Sequence, residues 1–128
     1  MSLSESSLKR LEGLDPKFKV NILCLQGLAK LEGLDVQVAC GYRSNEEQAK
    51  LYAQGRTVPG KIVTNAKPGQ SKHNKGLAVD LYFIVNGKAD WGVGKYLQLS
   101  KICVKNKLAI SWSGNWKTFK EYCHFEAV

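Results

Sequence analysis

The chain contains two histidines, and each lies close to carboxylates in the sequence. His73 shortly precedes Asp80, and His124 lies between Glu121 and Glu126. Two imidazoles and one carboxylate form a ligand set typical of catalytic zinc, which leaves a fourth position open for water, whereas structural zinc sites are closed by four protein ligands. Either histidine alone would be interpreted as an ordinary loop or strand residue. The two together, beside acidic residues, predict a reactive metal site.

Strand periodicity indicates how the first of these groups is presented. Residues 76–85 are rich in Val, Tyr, Phe and Ile and are expected to form a central strand, along which side chains alternate between two faces. One face carries Asp80 and the small residues Gly76 and Ala78, which leave room above the carboxylate for an ion and a substrate. The opposite face is aliphatic and is expected to pack in the core: Leu77, Val79 and Leu81.

A second predicted strand, residues 122–126, carries the other histidine. Its outer face would hold Tyr122, His124 and Glu126, while Cys123 and Phe125 point inward. By strict alternation Glu121 would point away from His124 unless the chain bends there, and the turn region before this strand permits a bend.

Capping residues predict two helices. Asp15-Pro16 is a typical helix start, apolar residues then recur at helical spacing, and Gly33 suits the helix end. Ser44 and Glu47 form a capping box that opens a helix extending to about residue 54.

Turn residues and periodicity predict the remaining elements. The predicted elements are a strand over 36–40, a long loop over 56–70 that leads to His73, a hairpin turn at Asn86-Gly87, a helix over 93–108, a strand over 109–112 and a turn at Gly114-Asn115-Trp116. Helices around a small, mostly antiparallel sheet define the α+β class, and we expect one small domain over residues 1–128.

Composition limits the class of protein. The 128 residues are 44% hydrophobic and 23% charged, which is ordinary for a globular domain. No apolar run approaches the roughly 20 residues of a membrane helix, and the N-terminal residues show no secretory signal. The net charge of +8 favours polyanions such as nucleic acid, anionic lipid or acidic polymers. Because the lysines are scattered and no nucleic-acid-binding motif is present, we expect no nucleic-acid partner and no stable membrane insertion.

The four cysteines form no C-x-x-C pair and lie among apolar neighbours: Cys24, Cys40, Cys103 and Cys123. They are predicted to be buried free thiols that behave as small hydrophobic residues, in keeping with synthesis in a reducing cytoplasm. Cys123 lies beside His124 and could be a metal ligand, but adjacent strand residues face opposite ways, so only one of the two would face the ion.

Two segments carry a resemblance to a known family. The run Ser71-x-His73-x-x-Gly76-x-Ala78-x-Asp80 is similar to the S-x-H-x-x-G-x-A-x-D signature of the zinc D-Ala-D-Ala peptidase superfamily. Glu121-x-x-His124 resembles the second motif of that superfamily, in which an acid precedes the last histidine ligand.

Two weaker matches complete the family order from about Val38 to Glu126. The segment Gly41-Tyr42-Arg43-Ser44, with Gln48 and Leu51, resembles the upstream arginine segment, and Gly114-Asn115-Trp116 resembles the turn before the last strand. The pattern is most similar to the branch of L-alanyl-D-glutamate endopeptidases, which includes phage endolysins and bacterial wall-remodelling enzymes. Cys123 stands where that branch often has proline.

The resemblance implies roles for individual residues. His73, Asp80 and His124 would hold Zn²⁺. Glu121 would be the general base, and Arg43 would bind the substrate or stabilise its developing oxyanion. Two further residues, Ser71 and Gln48, would contact the substrate or position the groups that do, and Glu126 would support Glu121.

The implied function is that of a zinc metallopeptidase that cuts peptidoglycan stem peptides, and the most similar branch predicts cleavage of the bond between L-Ala and D-Glu. The alternatives are a D-Ala-D-Ala carboxypeptidase or dipeptidase, a non-catalytic wall-binding module on the same fold, and a nucleic-acid binder supported by charge alone. We expect a monomer without a separate wall-binding domain, made in the cytoplasm without a signal peptide. It would act on the cell wall after release, in keeping with phage or prophage lysis.

Overall fold

A computed structural model of the chain describes residues 2–115 and 121–128. Within these ranges the helices are α1 Glu5–Arg10, α2 Pro16–Leu31, α3 Asn45–Ala53 and α4 Val93–Lys105. The strands are β1 Val36–Cys40, β2 Ala78–Val85, β3 Lys88–Asp90, β4 Ile110–Trp112 and β5 His124–Ala127. Two short 3-10 helices span Lys72–Lys75 and Ser113–Asn115. The predicted α+β class is confirmed. None of the helices in the described ranges is long and apolar enough to cross a membrane.

Helices α2 and α3 begin where their capping residues predict. Oδ2 of Asp15 accepts a hydrogen bond from the backbone N–H of Phe18 at 3.1 Å, and Pro16 is the first residue of α2. At α3 the hydroxyl of Ser44 accepts from the N–H of Glu47 while the Glu47 carboxylate accepts from the N–H of Ser44. Caps are interactions between near neighbours in the chain, which is why the sequence alone predicts them.

Helix α1 is not apparent from the sequence because it is too short to show a periodic apolar face. A buried serine attaches it to the sheet. The hydroxyl of Ser7 donates to Oε1 of Gln37 at 2.7 Å and accepts from the N–H of Val38 at 2.9 Å.

The sheet places three distant residues side by side. Its strand order is β1-β2-β5-β4, β3 also pairs with β2, and each of these pairs is antiparallel. In this register Asp80 on β2 lies opposite His124 on one side and opposite Cys40 on the other. The side chains of β2 that face the core are at most 1% exposed and pack in one cluster with α2 and α4: Val79, Leu81 and Phe83.

The two strands of the predicted site begin later than the sequence predicts, at Ala78 and His124. The prediction that Gly76 is a strand residue is wrong, since it ends the 3-10 helix in the left-handed conformation at φ 70°. A Cβ at this position would lie 2.7 Å from the carbonyl oxygen of Gly13, so both backbone conformation and space require glycine. Of the predicted turn at 114–116, Trp116 lies outside the described residues.

All four cysteines are free thiols, but their burial differs. Cys103 is buried, Cys40 and Cys123 are half-buried, and Cys24 is exposed. The prediction of a buried thiol is therefore wrong for Cys24. Cys24 lies on the side of α2 that faces solvent, so its apolar neighbours in the sequence did not indicate its own burial.

Candidate active site and metal centre

Three donor atoms converge at the middle of the sheet. Nε2 of His73 lies 3.3 Å from Nδ1 of His124 and 3.5 Å from Oδ1 of Asp80. The third side of this triangle, from Nδ1 of His124 to Oδ1 of Asp80, is 3.3 Å. Ligands about 2.0–2.1 Å from a tetrahedral ion lie about 3.3 Å from one another. The triangle therefore has the size of a single three-ligand metal site, which we call the donor triangle.

Each histidine is oriented by the ring nitrogen that points away from the triangle. Nδ1 of His73 donates to the carbonyl oxygen of Gly41 at 2.8 Å, and Nε2 of His124 donates to Oε1 of Glu126 at 2.9 Å. Such contacts fix the orientation of each ring, so that the other nitrogen faces the donor triangle, where the neutral imidazole presents its lone pair to an ion. Glu126 in turn binds Nζ of Lys72 through its second oxygen at 3.1 Å.

The environment of Asp80 fits a cation. Its Oδ1 is buried and has no hydrogen-bond donor of acceptable geometry among the described residues. Burial by itself would raise the pKa of this carboxyl, but the imidazoles of His124 and His73 outweigh it and hold the pKa well below its usual range. Burial likewise opposes protonation of His73, yet its pairing with Asp80 raises the pKa of the imidazole to about 10. The triangle thus stabilises positive charge, and its nitrogen and oxygen donors suit a divalent metal ion such as zinc.

Local structure presents these ligands. The Ser71 hydroxyl caps the 3-10 helix by accepting from the N–H of His73 at 3.2 Å, which fixes the position of the first ligand. Asp80 and His124 face each other across the β2–β5 pair.

The donor triangle lies in a cleft of about 720 Å³. Four consecutive residues, 63–66, line one part of the cleft and are called the cleft wall below. Ser71 and Glu121 also line this cleft, and so do Arg43 and Cys123. A metal ion in the triangle would therefore be accessible to a substrate.

Glu121 lies next to the donor triangle. Its Oε2 is 3.6 Å from Nδ1 of His124, and its side chain is 37% exposed. Strand alternation does not apply to it because β5 begins only at His124, after a turn in which the N–H of His124 donates to the carbonyl oxygen of Glu121. Burial raises the pKa of the Glu121 carboxyl. The expected bend is present and turns this carboxylate towards the cleft.

Arg43 is held at the cleft by hydrogen bonds to one buried residue and one half-buried residue. Its Nη1 donates to Oε1 of Gln48 at 2.8 Å, and its Nη2 donates to Sγ of Cys40 at 3.3 Å. The backbone of Arg43 is attached to the metal-ligand loop, since its N–H donates to the carbonyl oxygen of His73 and its carbonyl oxygen accepts from Nδ2 of Asn74. The guanidinium and the first histidine are thus positioned as one unit.

Two sequence searches show the family of this chain. The sequence model of VanY, D-alanyl-D-alanine carboxypeptidase, matches residues 12–119. The peptidoglycan L-alanyl-D-glutamate endopeptidase CwlK of Bacillus subtilis is 38% identical over 130 residues, which cover 90% of this chain and 74% of the relative. The chain belongs to the VanY family.

Solved structures share the fold of this VanY-family chain. The L-Ala D-Glu endopeptidase ChiX of Serratia marcescens matches with a TM-score of 0.72 and 23% identity, covering 99% of this chain and 90% of ChiX. A vancomycin resistance D,D-pentapeptidase VanY, as an E175A mutant in complex with Zn(II), matches with a TM-score of 0.66 and 22% identity, covering 90% and 72% of the two chains. At these identities the likeness shows a common fold.

Two residues of this VanY-family site differ from the sequence-based interpretation. Gln48 is fully buried and does not line the cleft. The prediction of a direct contact with the substrate is therefore wrong, because its amide binds Arg43 and the carbonyl oxygen of Ala66 instead. The alternative, that Gln48 positions a group that contacts the substrate, stays a prediction. Cys40, assigned to the core, lies beside the site, and its sulfur is within 4.8 Å of the ligand atoms of His73 and Asp80. Its position directly before the arginine segment is the signal that could have revealed this.

Proposed function

We propose that this chain is a zinc-dependent peptidase that hydrolyses peptidoglycan stem peptides between L-Ala and D-Glu. The donor triangle of His73, Asp80 and His124, with sides of 3.3–3.5 Å, is the observation that carries the proposal. The similarity to the L-alanyl-D-glutamate endopeptidase of Bacillus subtilis supports the choice of bond.

Nε2 of His73, Nδ1 of His124 and Oδ1 of Asp80 would hold the metal. Zinc bound there supplies Lewis acidity that polarises a carbonyl group and acidifies water. The nitrogens that face away from the triangle stay bonded to Gly41 and Glu126, so both imidazoles keep their orientation during the reaction.

Glu121 would act as the general base. Its carboxylate accepts a proton from the attacking water as the water oxygen bonds to the scissile carbonyl carbon. The same carboxyl then gives that proton to the nitrogen of the leaving amine as the C–N bond breaks. General acid–base catalysis of this kind contributes about 100- to 10,000-fold in rate. The position of Glu121, 3.6 Å from His124 at the open cleft, supports this role.

Arg43 would stabilise the negative charge that develops on the scissile carbonyl oxygen. A positioned donor is most effective when it needs no reorganisation during the reaction. The bonds of its guanidinium to Gln48 and Cys40 provide such pre-organisation. Ser71 lines the same cleft and is a candidate for substrate contact.

The test is hydrolysis of purified peptidoglycan by the protein before chelation, after complete zinc removal, and after zinc is returned. We expect activity to disappear with the metal and to recover with it, and mass analysis to show stem peptides released with a new N-terminus at D-Glu. Activity that survives removal of the metal would contradict the proposal.

A second candidate is a D,D-carboxypeptidase, favoured by the family description of D-alanyl-D-alanine carboxypeptidase. The same ligand set and base would serve it. Free D-Ala as the product, without released stem peptides, would favour this activity. A non-catalytic wall-binding module ranks last, because Glu121 is present beside the donor triangle; metal-independent wall binding without any hydrolysis would support it.

A further inference from the structure

The cleft wall has no regular secondary structure, but its exposure alternates with a period of two. Val63 and Asn65 are exposed, whereas Thr64 and Ala66 are half-buried. In an extended chain successive side chains face opposite ways, so this alternation is typical of a strand without a paired neighbour.

The backbone hydrogen bonds of the cleft wall alternate in the same way. The carbonyl oxygen of Thr64 accepts from Arg56 at 3.1 Å, and the carbonyl oxygen of Ala66 accepts from Gln48 at 2.7 Å. The N–H of Ala66 donates to the hydroxyl of Thr64 at 3.1 Å. By contrast, the backbone N–H and C=O groups of residues 63 and 65 have no partner within the part of the chain that the structure describes.

This pattern leaves one edge of the cleft wall open. In an extended segment the N–H and C=O groups of one residue point to the same side, and those of its neighbour to the other. On the side formed by Thr64 and Ala66, both carbonyl oxygens and the N–H of Ala66 have partners in the protein. The side formed by Val63 and Asn65 has two donors and two acceptors at the spacing that a second strand requires.

We propose that the cleft wall binds the stem peptide as an added β-strand, with the backbone groups of Val63 and Asn65 pairing with the main chain of the peptide. Strand addition provides affinity through main-chain hydrogen bonds, and side-chain contacts then provide selectivity. The peptide substrate is the occupant because the wall lines the same cleft as His73, Asp80 and Glu121. This inference rests on the proposed function and assigns the surface that aligns its substrate.

The cleft wall is held in place before any peptide binds. The guanidinium of Arg56 lies 4.0 Å from the centre of the Tyr52 ring and donates to the carbonyl oxygen of Tyr52 and to Oδ1 of Asn65. Gln48 holds the opposite end from inside the domain. Such pre-organisation lowers the entropic cost of pairing with a peptide.

The decisive comparison is between Asn65→Pro and Asn65→Ala. Both variants lose the side-chain bond to Arg56, but only proline removes the N–H that the added strand needs. Proline also favours an extended conformation in the preceding residue, so the wall can keep its course. We expect Asn65→Pro to raise KM for a soluble stem peptide about two- to tenfold relative to Asn65→Ala, with kcat nearly unchanged. The reason is that the lost hydrogen bond is made equally in the enzyme–substrate complex and in the transition state.

Thermal unfolding and zinc content identify folded, metal-loaded variants. An independent readout uses the Glu121→Gln variant, which leaves the wall intact, with an excess of uncleaved stem peptide. Amide exchange followed by NMR should show new protection at Val63 and Asn65 and little change at Ala66, whose N–H is already bonded.

The outcomes separate this inference from the proposed function. If the unmodified protein cleaves stem peptides with zinc but Asn65→Pro and Asn65→Ala have the same KM, and amides 63 and 65 gain no protection, strand addition is overturned while the peptidase stands. If the unmodified protein neither binds nor cleaves stem peptides, both are overturned.

Discussion

The donor triangle and the cleft wall lie in one cleft but are built in different ways. Two of the three ligands in the triangle are fixed by the sheet, because the pairing of β2 with β5 places Asp80 opposite His124. The third ligand, His73, is fixed by the capped 3-10 helix. Within the part of the chain that the structure describes, the cleft wall pairs with no strand and is held by the side chains of Gln48 and Arg56. Regular secondary structure therefore positions the metal ligands, and a side-chain scaffold shapes the surface for the substrate.

This difference predicts how the two regions respond to substitution. A change at the triangle should alter metal binding or turnover while the fold persists, since the sheet continues on either side. A change in the scaffold of the wall should alter stability and substrate affinity together, because the same bonds serve both. The first three predictions below test that division, and the fourth concerns a property that depends on neither region.

The largest effect is expected for Glu121→Gln. This variant keeps the shape of the side chain but removes the base, so kcat should fall about 100- to 10,000-fold while bound zinc stays near one per chain. Turnover in single-turnover assays and elemental analysis measure the two quantities. Unchanged kcat would exclude Glu121 as the base, and loss of the metal would place it among the ligands.

The next effect concerns the orientation of His124. Replacing Glu126 by Ala removes the acceptor of its Nε2–H, and loss of such a partner typically weakens metal affinity about 10- to 100-fold. Competition with a chromogenic chelator measures that affinity. The control is Lys72→Met, which removes the half-exposed ion pair to Glu126 and a 3.4 Å bond to the carbonyl oxygen of Ala127 but leaves the acceptor of His124 in place, so it should change affinity far less. Equal affinity in Glu126→Ala and the unmodified protein would show that the sheet alone orients the imidazole.

A substitution inside the wall scaffold should act on stability first. Gln48→Leu leaves the Arg43 guanidinium and the Ala66 carbonyl without their buried partner, which should cost about 1–3 kcal/mol of unfolding free energy. The matched control is Gln98→Leu, the same chemical change at a surface position on α4, expected within about 0.5 kcal/mol of the unmodified protein. Denaturant unfolding measures both. A neutral Gln48→Leu with normal KM would refute the scaffold role.

The smallest effect comes from charge outside both regions. The chain has a net charge of +8, so a weak attraction between the protein and the anionic bacterial cell wall should be screened by salt. Raising the salt concentration should therefore reduce the lysis of whole bacterial cell walls more than the cleavage of a small soluble stem peptide. The same salt dependence for both substrates would show that attraction to the cell wall is not the cause of the salt effect.

Much of the site can be predicted from the sequence because its signals are local. The caps at Asp15 and Ser44 depend on neighbours within one helical turn, and the aliphatic face of β2 follows from alternation. The types of the three donor residues also limit the chemistry before any fold is known. Their roles as zinc ligands remain part of the proposal, but the convergence of their side chains is observed.

Long-range placement was decided by the tertiary structure. The register between β2 and β5 depends on burying one face of each strand, and a shift of one residue would turn Asp80 and His124 away from each other. The register between β1 and β2 brings Cys40 beside Asp80, although the apolar neighbours of Cys40 in the sequence indicate the core.

The sequence by itself determined which groups could bind a metal, because ligand chemistry belongs to residue types and short spacings. Only the tertiary structure decided that Gln48 supports Arg43 from inside and that the backbone groups of residues 63 and 65 have no partner among residues 2–115 and 121–128. The physical reason is that burial and hydrogen-bond satisfaction depend on residues far away in the chain, which no local pattern encodes.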